Sequence, residues 1–198
     1  MYDYELKNYK GVNLIAGFDE AGRGCCAGPL VVAAVILPAN FKHRLIKDSK
    51  ELNEKQREKA YEIITEVALE YTTYVVDANV VDELNPKQAS KFGMKRCLGQ
   101  LYLVPRILIT DYEKIEDTFI EQINLVKGDR LSINVAAASI VAKVTRDRIM
   151  NKLHEQYPEY NWKQNKGYCT KEHEEAMEKY GVCEQHRRTY KNVAKYLK

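Results

Sequence analysis

Residues 13–38 read NLIAGFDEAGRGCCAGPLVVAAVILP, and the two apolar runs on either side of its glycine-rich turn decide how the rest of the chain is organised. The first run, Leu14 to Asp19, is bounded by charge and glycine; the second, Gly28 to Pro38, is β-branched, continuous and closed by proline. Both predict buried strands. Neighbours on a strand point to opposite faces, so Asp19 and Glu20 share a site only if the strand ends with them. Gly22 and Gly24 allow the backbone to turn at once, and the two carboxylates are expected at that corner, converging on something positive.

Downstream, Asn53 is positioned to cap a helix in which Ala60, Ile63, Ile64, Val67, Ala68 and Tyr71 recur at helical spacing. Thr72 to Ala78 predicts a short strand, and the segment after Pro86 a helix entered through that proline. Arg106 to Asp111 is another strand, Asn124 to Lys127 a brief strand candidate, and Val135 to Tyr157 a long helix whose alanine-rich start permits close approach to a sheet. The polar, basic and aromatic C-terminal part predicts at least two short helices. Together these elements predict an α/β chain with helices on a mixed sheet.

With 198 residues and no change of composition regime, one domain is expected, its core at about residues 12–158 and a C-terminal helical segment at about 159–198 contributing to substrate binding. The 31 Lys and Arg against 28 Asp and Glu leave a net charge of only +3, so any affinity for nucleic acid must come from how charge is distributed. No signal-peptide pattern and no long apolar run is present, and five cysteines, an odd number, do not read as a disulfide framework. A soluble cytoplasmic protein is expected, without a membrane and as a monomer.

Two further acids repeat the theme of the first turn. Asp111 ends the strand RILITD, and Asp129 lies in the loop KGDR before the long helix. Carboxylates at strand ends and loops, without histidine or cysteine among them, suit a hard oxygen-preferring cation such as Mg²⁺ or Mn²⁺. Two such ions about 4 Å apart can clamp the attacking and leaving oxygens of a phosphodiester.

The chain resembles the type 2 ribonucleases H, the ribonuclease HII family in particular. The resemblance is carried by GFDEAGRG, AGPLVVAAVIL (27–37), DSKELNEKQRE (48–58), ILITD (107–111), KGD (127–129), AAASIVAKVTRDRIM (136–150), NKGYCTKEH (165–173) and HRRTY (186–190), in the family's order. It implies a ribonuclease H-like mixed sheet flanked by helices and a metal-dependent endonuclease acting on RNA paired with or joined to DNA. Asp19, Glu20, Asp111 and Asp129 fall on the family's four acidic positions, implying metal ligands in a two-metal mechanism. Gly22, Arg23 and Gly24 match the turn that meets the backbone at the ribonucleotide, where a glycine permits close approach and backbone groups can bond a 2′-hydroxyl. Tyr168 matches the tyrosine that packs on the deoxyribose after the ribonucleotide.

The resemblance further implies cleavage on the 5′ side of a ribonucleotide, leaving 3′-hydroxyl and 5′-phosphate ends, and removal of misincorporated ribonucleotides from duplex DNA. A ribonuclease HIII-like, hybrid-only nuclease and a non-catalytic hybrid-binding module are the alternatives; Tyr168 argues against the first and the full set of acids against the second. No obligate protein partner is implied. The chain ends soon after HRRTY, so neither a C-terminal clamp-binding peptide nor an extra N-terminal domain is expected.

Ser139, Lys143 and Arg146 share one helix face, which can lie along phosphates, although Lys143 and Asp147 are also spaced for a surface pair. Asp147 is read as structural. The C-x3-H and C-x2-H spacings of Cys169, His173, Cys183 and His186 are read as incidental rather than as a zinc site. Cys25-Cys26 and Tyr112 depart from the family pattern, the latter placing a bulky group beside an acid.

Overall fold

The computed structural model describes residues 4–197. A short helix α1 (Tyr4–Asn8) leads into β1 (Ile15–Ala21) and β2 (Leu30–Ile36). Then follow α2 (Glu54–Val67), β3 (Glu70–Val76), α3 (Ala78–Leu84), α4 (Pro86–Gln100), β4 (Ile107–Asp111) and β5 (Glu121–Leu125). The long helix α5 (Ile133–Gln156) precedes α6 (Trp162–Asn165), α7 (Lys171–Tyr180) and α8 (Lys191–Ala194). The five strands form a mixed sheet in the order β3-β2-β1-β4-β5, antiparallel through β3, β2 and β1 and parallel through β1, β4 and β5. The expected α/β class, helices on a mixed sheet, is the one adopted.

Alternation along the central strands divides the core between two faces. Ala16 and Phe18 of β1 pack with Val32, Ala34, Met94 and Cys97, beneath α4. Ala21, Ala33 and Val35 point the other way, onto Ala136–Ala138 and Ile140 of α5 and Ile64 of α2. Gly17 lies on that second face, and a Cβ there would stand 2.1 Å from the carbonyl carbon of Asn134. The start of α5 therefore rests directly on the β1 backbone, which fixes the long helix relative to the acids two and three residues further on.

Local chemistry sets most boundaries. Asn53 and Gln56 cap α2 reciprocally, worth about 1 kcal/mol, and Ser132 accepts the Val135 amide to start α5. Pro86 opens α4, whose first amides are taken by Asn85. Three expectations shift. The helix from Asn53 ends at Val67, and Tyr71 belongs to β3, whose β-branched and aromatic residues pair along β2. The last strand begins at Glu121 and stops before Lys127, whose left-handed backbone (φ 58°) turns the chain. And β1 does not end at its acids: Asp19, Glu20 and Ala21 pair with Ala33, Val32 and Val31, because the uninterrupted apolar run of β2 keeps supplying partners.

The C-terminal helices pack on the turn after Gly24. Cys26, Ala27 and Met150 share a core with Tyr160, Trp162, Met177 and Val193. Among the described residues no helix is long and apolar enough to cross a membrane.

Candidate active site

On its other edge β1 is paired with β4 only as far as Phe18 and Thr110. Asp19 and Asp111 each stand one residue beyond that last pair, on strands about 5 Å apart. The acids thus lie at an opening in the sheet, even though β1 continues along its β2 edge. Asp19 shares the α5 face with Gly17 and Ala21, and Glu20 the opposite face with Phe18. Asp111 Oδ1 accepts the Gly128 amide at 2.8 Å, which draws the loop carrying the buried Asp129 against the end of β4.

The electrostatics show how close these groups are. Burial raises the Asp19 pKa well above the carboxylate range, and the charges of Glu20, Asp111 and Asp129 add to it. Burial pushes Glu20 up to about 7 despite the opposing guanidinium of Arg23, with Asp111 and Glu113 adding to the rise. Burial also raises Asp129, followed by Asp48 and Asp111. Buried like charges repel strongly, so the site favours whatever brings positive charge to it.

Among the described residues no group of three acid, histidine or cysteine side chains is already arranged to hold a metal ion. Each acid is turned to a donor of the chain itself: Asp19 Oδ1 to the Glu20 amide at 2.7 Å, Asp111 to Gly128, Glu20 to Arg23 at 3.6 Å, and Asp129 to Lys50 Nζ at 3.7 Å. Glu20 Oε2 has no hydrogen-bond partner among the described residues; of the three buried side-chain atoms in that position, the other two, Glu5 Oε2 and His154 Nδ1, do not belong to these four acids. An unsatisfied carboxylate oxygen within an all-oxygen, like-charged cluster fits a hard divalent cation and does not fit zinc.

Beside the acids, the turn at Gly22 is sewn down from two sides. Gly22 has φ 94°, and a Cβ there would stand 2.0 Å from Arg146 Nε. Arg146 is 1% exposed and donates to the carbonyls of Pro29, Ala27 and Lys166 at 2.8–3.0 Å. Its guanidinium is consumed by backbone and is not offered to a phosphate, which corrects the expectation that it lies along one with Ser139 and Lys143. Ser139 is also buried, its hydroxyl 2.9 Å from that of Ser49, and Lys143 pairs with Asp147 at 2.7 Å. These three residues share a helix face but have no partner in common.

From the other side, buried Arg187 of HRRTY donates to Gly28 and, with Tyr190, to the carbonyl of Arg23. The Arg23 side chain is half-buried against Glu113, and the space around Gly24 is open. Tyr168 stands 48% exposed next to Gly167, whose carbonyl accepts the amides of Cys26 and Ala27. The Gly22 turn and the Tyr168 loop are thus one rigid unit.

His173 and His186 lie behind Tyr168 and are neutral by construction. His173 donates from Nδ1 to the Tyr168 carbonyl at 2.9 Å, and its Nε2 accepts Trp162 Nε1 at 3.0 Å. His186 accepts the Cys183 amide at Nδ1 and lies 3.1 Å from His173 Nε2. Both rings are committed to hydrogen bonds, and among the described residues they form no metal-holding group with the cysteines beside them.

Sequence reading overlooked Glu113, Lys50 and Arg187, which touch the acids or the turn, and Asp48, whose charge acts on Asp129. Lys50 and Asp48 lie in DSKEL and Arg187 in HRRTY, where a charged residue inside a recurring motif was the available signal.

A mixed five-stranded sheet with acids at the β1–β4 opening and helices on both faces defines a ribonuclease H-like nuclease. Comparison with known proteins agrees: the sequence model of ribonuclease HII matches residues 16–193. Ribonuclease HII of Aquifex aeolicus is 48% identical over 198 residues, all of both chains, and that of Mycoplasma mycoides 44% identical over 198 residues, 100% of this chain and 96% of the relative. The crystal structure of ribonuclease H2 from Pyrococcus horikoshii superposes with a TM-score of 0.79 at 29% identity, covering 92% of this chain and 96% of that one. The chain belongs to the ribonuclease HII family. It is an endonucleolytic ribonuclease H, a hydrolase of the RNA strand in RNA/DNA hybrids and, as its family is, dependent on a divalent metal.

Proposed function

We propose that this enzyme, besides cutting RNA in hybrids, incises duplex DNA on the 5′ side of single embedded ribonucleotides, leaving 3′-hydroxyl and 5′-phosphate ends, and so removes misincorporated ribonucleotides. Asp19, Glu20, Asp111 and Asp129 would hold Mg²⁺ or Mn²⁺. Bound there, such ions supply Lewis acidity to a phosphodiester and lower the pKa of water. The chain's own residues do the recognition. The Gly22 turn brings backbone close to a sugar, and the half-buried Arg23 guanidinium, paired on one side with Glu113, offers its remaining N–H groups to phosphate. Tyr168 offers an apolar ring face to a deoxyribose and a polar tip beside it. We place the active form as a monomer in the cytoplasm, a single domain whose C-terminal helical segment carries Tyr168.

The observation that carries this reading is the rigid coupling of Tyr168 to the Gly22 turn through the Gly167 carbonyl and Arg146. A single ribonucleotide offers one 2′-hydroxyl, so turn and tyrosine must be held at fixed separation to read it and its 3′ neighbour together. The test is a gel assay on duplex DNA carrying one ribonucleotide, with Mg²⁺, Mn²⁺ or EDTA. Metal-dependent incision 5′ to the ribonucleotide is expected. Cleavage of uniform hybrid alone would favour a ribonuclease HIII-like specificity, and binding without any cleavage a non-catalytic role.

A further inference from the structure

Glu113 is a fifth carboxylate at the site, and its place follows from a strained turn. Tyr112 has φ 70°, a left-handed conformation uncommon for a bulky residue, while its amide bonds Leu125 O and the Glu113 amide returns to Asp111 O. This folds the chain back immediately after β4, and Asn124 Nδ2 holds the Glu113 carbonyl at 3.1 Å. The Glu113 side chain, 3% exposed, is thereby buried beside the acids and meets Arg23: Oε1 accepts Nη2 at 2.9 Å.

Arg23 has a second acidic neighbour. Its Nη1 lies 3.6 Å from Glu20 Oε1, an ion pair beyond good hydrogen-bond length, and Glu20 Oε2 is one of three buried side-chain atoms with no hydrogen-bond partner among the described residues. Two largely buried carboxylates compete for one guanidinium, and Glu113, the more deeply buried, has the shorter contact. An arginine left to Glu20 alone has the planar fork that closes on both oxygens of a carboxylate.

We propose that Glu113 is a positioning residue that draws Arg23 off Glu20, keeping Glu20 free to take a divalent cation and holding Arg23 at the rim of the substrate turn. This deepens the functional reading above and rests on it. It also accounts for the strain at Tyr112, since an extended residue there would carry Glu113 along the strand rather than back to Arg23.

The test is calorimetric titration of metal-free protein with Mn²⁺ alone, in the Arg23 and Arg23→Ala backgrounds, with thermal melting to verify folding. Glu113→Ala is expected to weaken Mn²⁺ binding about tenfold, the scale of one charged hydrogen bond, and Arg23→Ala to abolish that difference. Glu113→Gln, which keeps the shape and an acceptor, is expected to weaken binding less, and it serves as the probe if the alanine variant fails to fold. Equal weakening in both backgrounds would overturn the proposal, marking Glu113 as a ligand in its own right; unchanged binding in the Arg23 background would overturn it too, leaving a merely structural bond. Asp111→Asn separates the levels: if it also leaves Mn²⁺ binding intact, the cation site itself is wrong, whereas if it weakens binding and Glu113→Ala does not, only the role of Glu113 falls.

Discussion

Arg146 fills the space that a side chain on Gly22 would need, so the long helix and the Gly22 turn touch through a buried guanidinium. Arg146→Met leaves three carbonyls without donors and is expected to destabilise the protein by about 3 kcal/mol, roughly 10 °C in melting temperature. Lys143→Ala, which removes only a pair with Asp147, should cost under about 1 kcal/mol. Thermal denaturation of the two variants decides whether this helix face is structural; equal, small losses would return Arg146 to a phosphate-binding role.

Asp19 is a buried acid among like charges, and its native environment opposes ionisation. Asp19→Asn relieves that repulsion, so the metal-free variant should melt at or above the temperature of the parent while its cleavage of hybrid is abolished. Asp111→Asn is expected to lose turnover equally with its circular dichroism unchanged. Robust cleavage by either variant would remove that residue from the catalytic set.

Tyr168→Ala should lose far more activity on a single ribonucleotide in duplex DNA than on uniform RNA/DNA hybrid, since a long hybrid binds in many registers and needs less help in placing one junction. Rates on the two substrates, measured side by side, provide the check. Equal losses would mean that the exposed ring does not read the junction.

His186 is 2% exposed, and burial, with the adjacent His173, pushes its pKa from 6.5 down to about 4. The unfolded chain takes up this proton as pH falls through about 6.5, the folded chain only near 4. Stability is therefore full above 6.5, declines between 6.5 and 4 by about 3 kcal/mol, and levels off below. Melting temperatures across that range should show the decline in the parent and a flatter profile in His186→Asn.

Much of the fold was legible because its elements carry local signals: the β-branched run of β2, the Asn53 cap, the proline of α4 and the alanine-rich start of α5. Where the reading went astray, tertiary context had overruled local pattern. Tyr71 fits a helical period but is taken by the edge of the sheet, and β1 runs through its acids because β2 is long enough to pair with them. Of the candidate site, Asp111 can be picked out as the acid that ends a strand, Asp129 as an acid in a short loop, and Asp19 by the glycine-rich turn that follows it rather than by a strand end. The burial of Arg146 cannot, because spacing along a helix tells which residues share a face but not what covers it. Glu113 stayed hidden for a similar reason, since only the left-handed backbone at Tyr112 sends it back to Arg23.

The parallel pairing of β1 with β4 brings together segments separated by two strands and three helices, with the whole antiparallel ribbon between them. Closing so long a loop is slow and entropically unfavourable, and the last acid sits beyond even that, tied to the end of β4 by a single amide. On the functional reading proposed above, a chain still emerging from the ribosome has these acids apart and cannot yet act on the nucleic acid around it. Nuclease activity arrives only with completed tertiary structure.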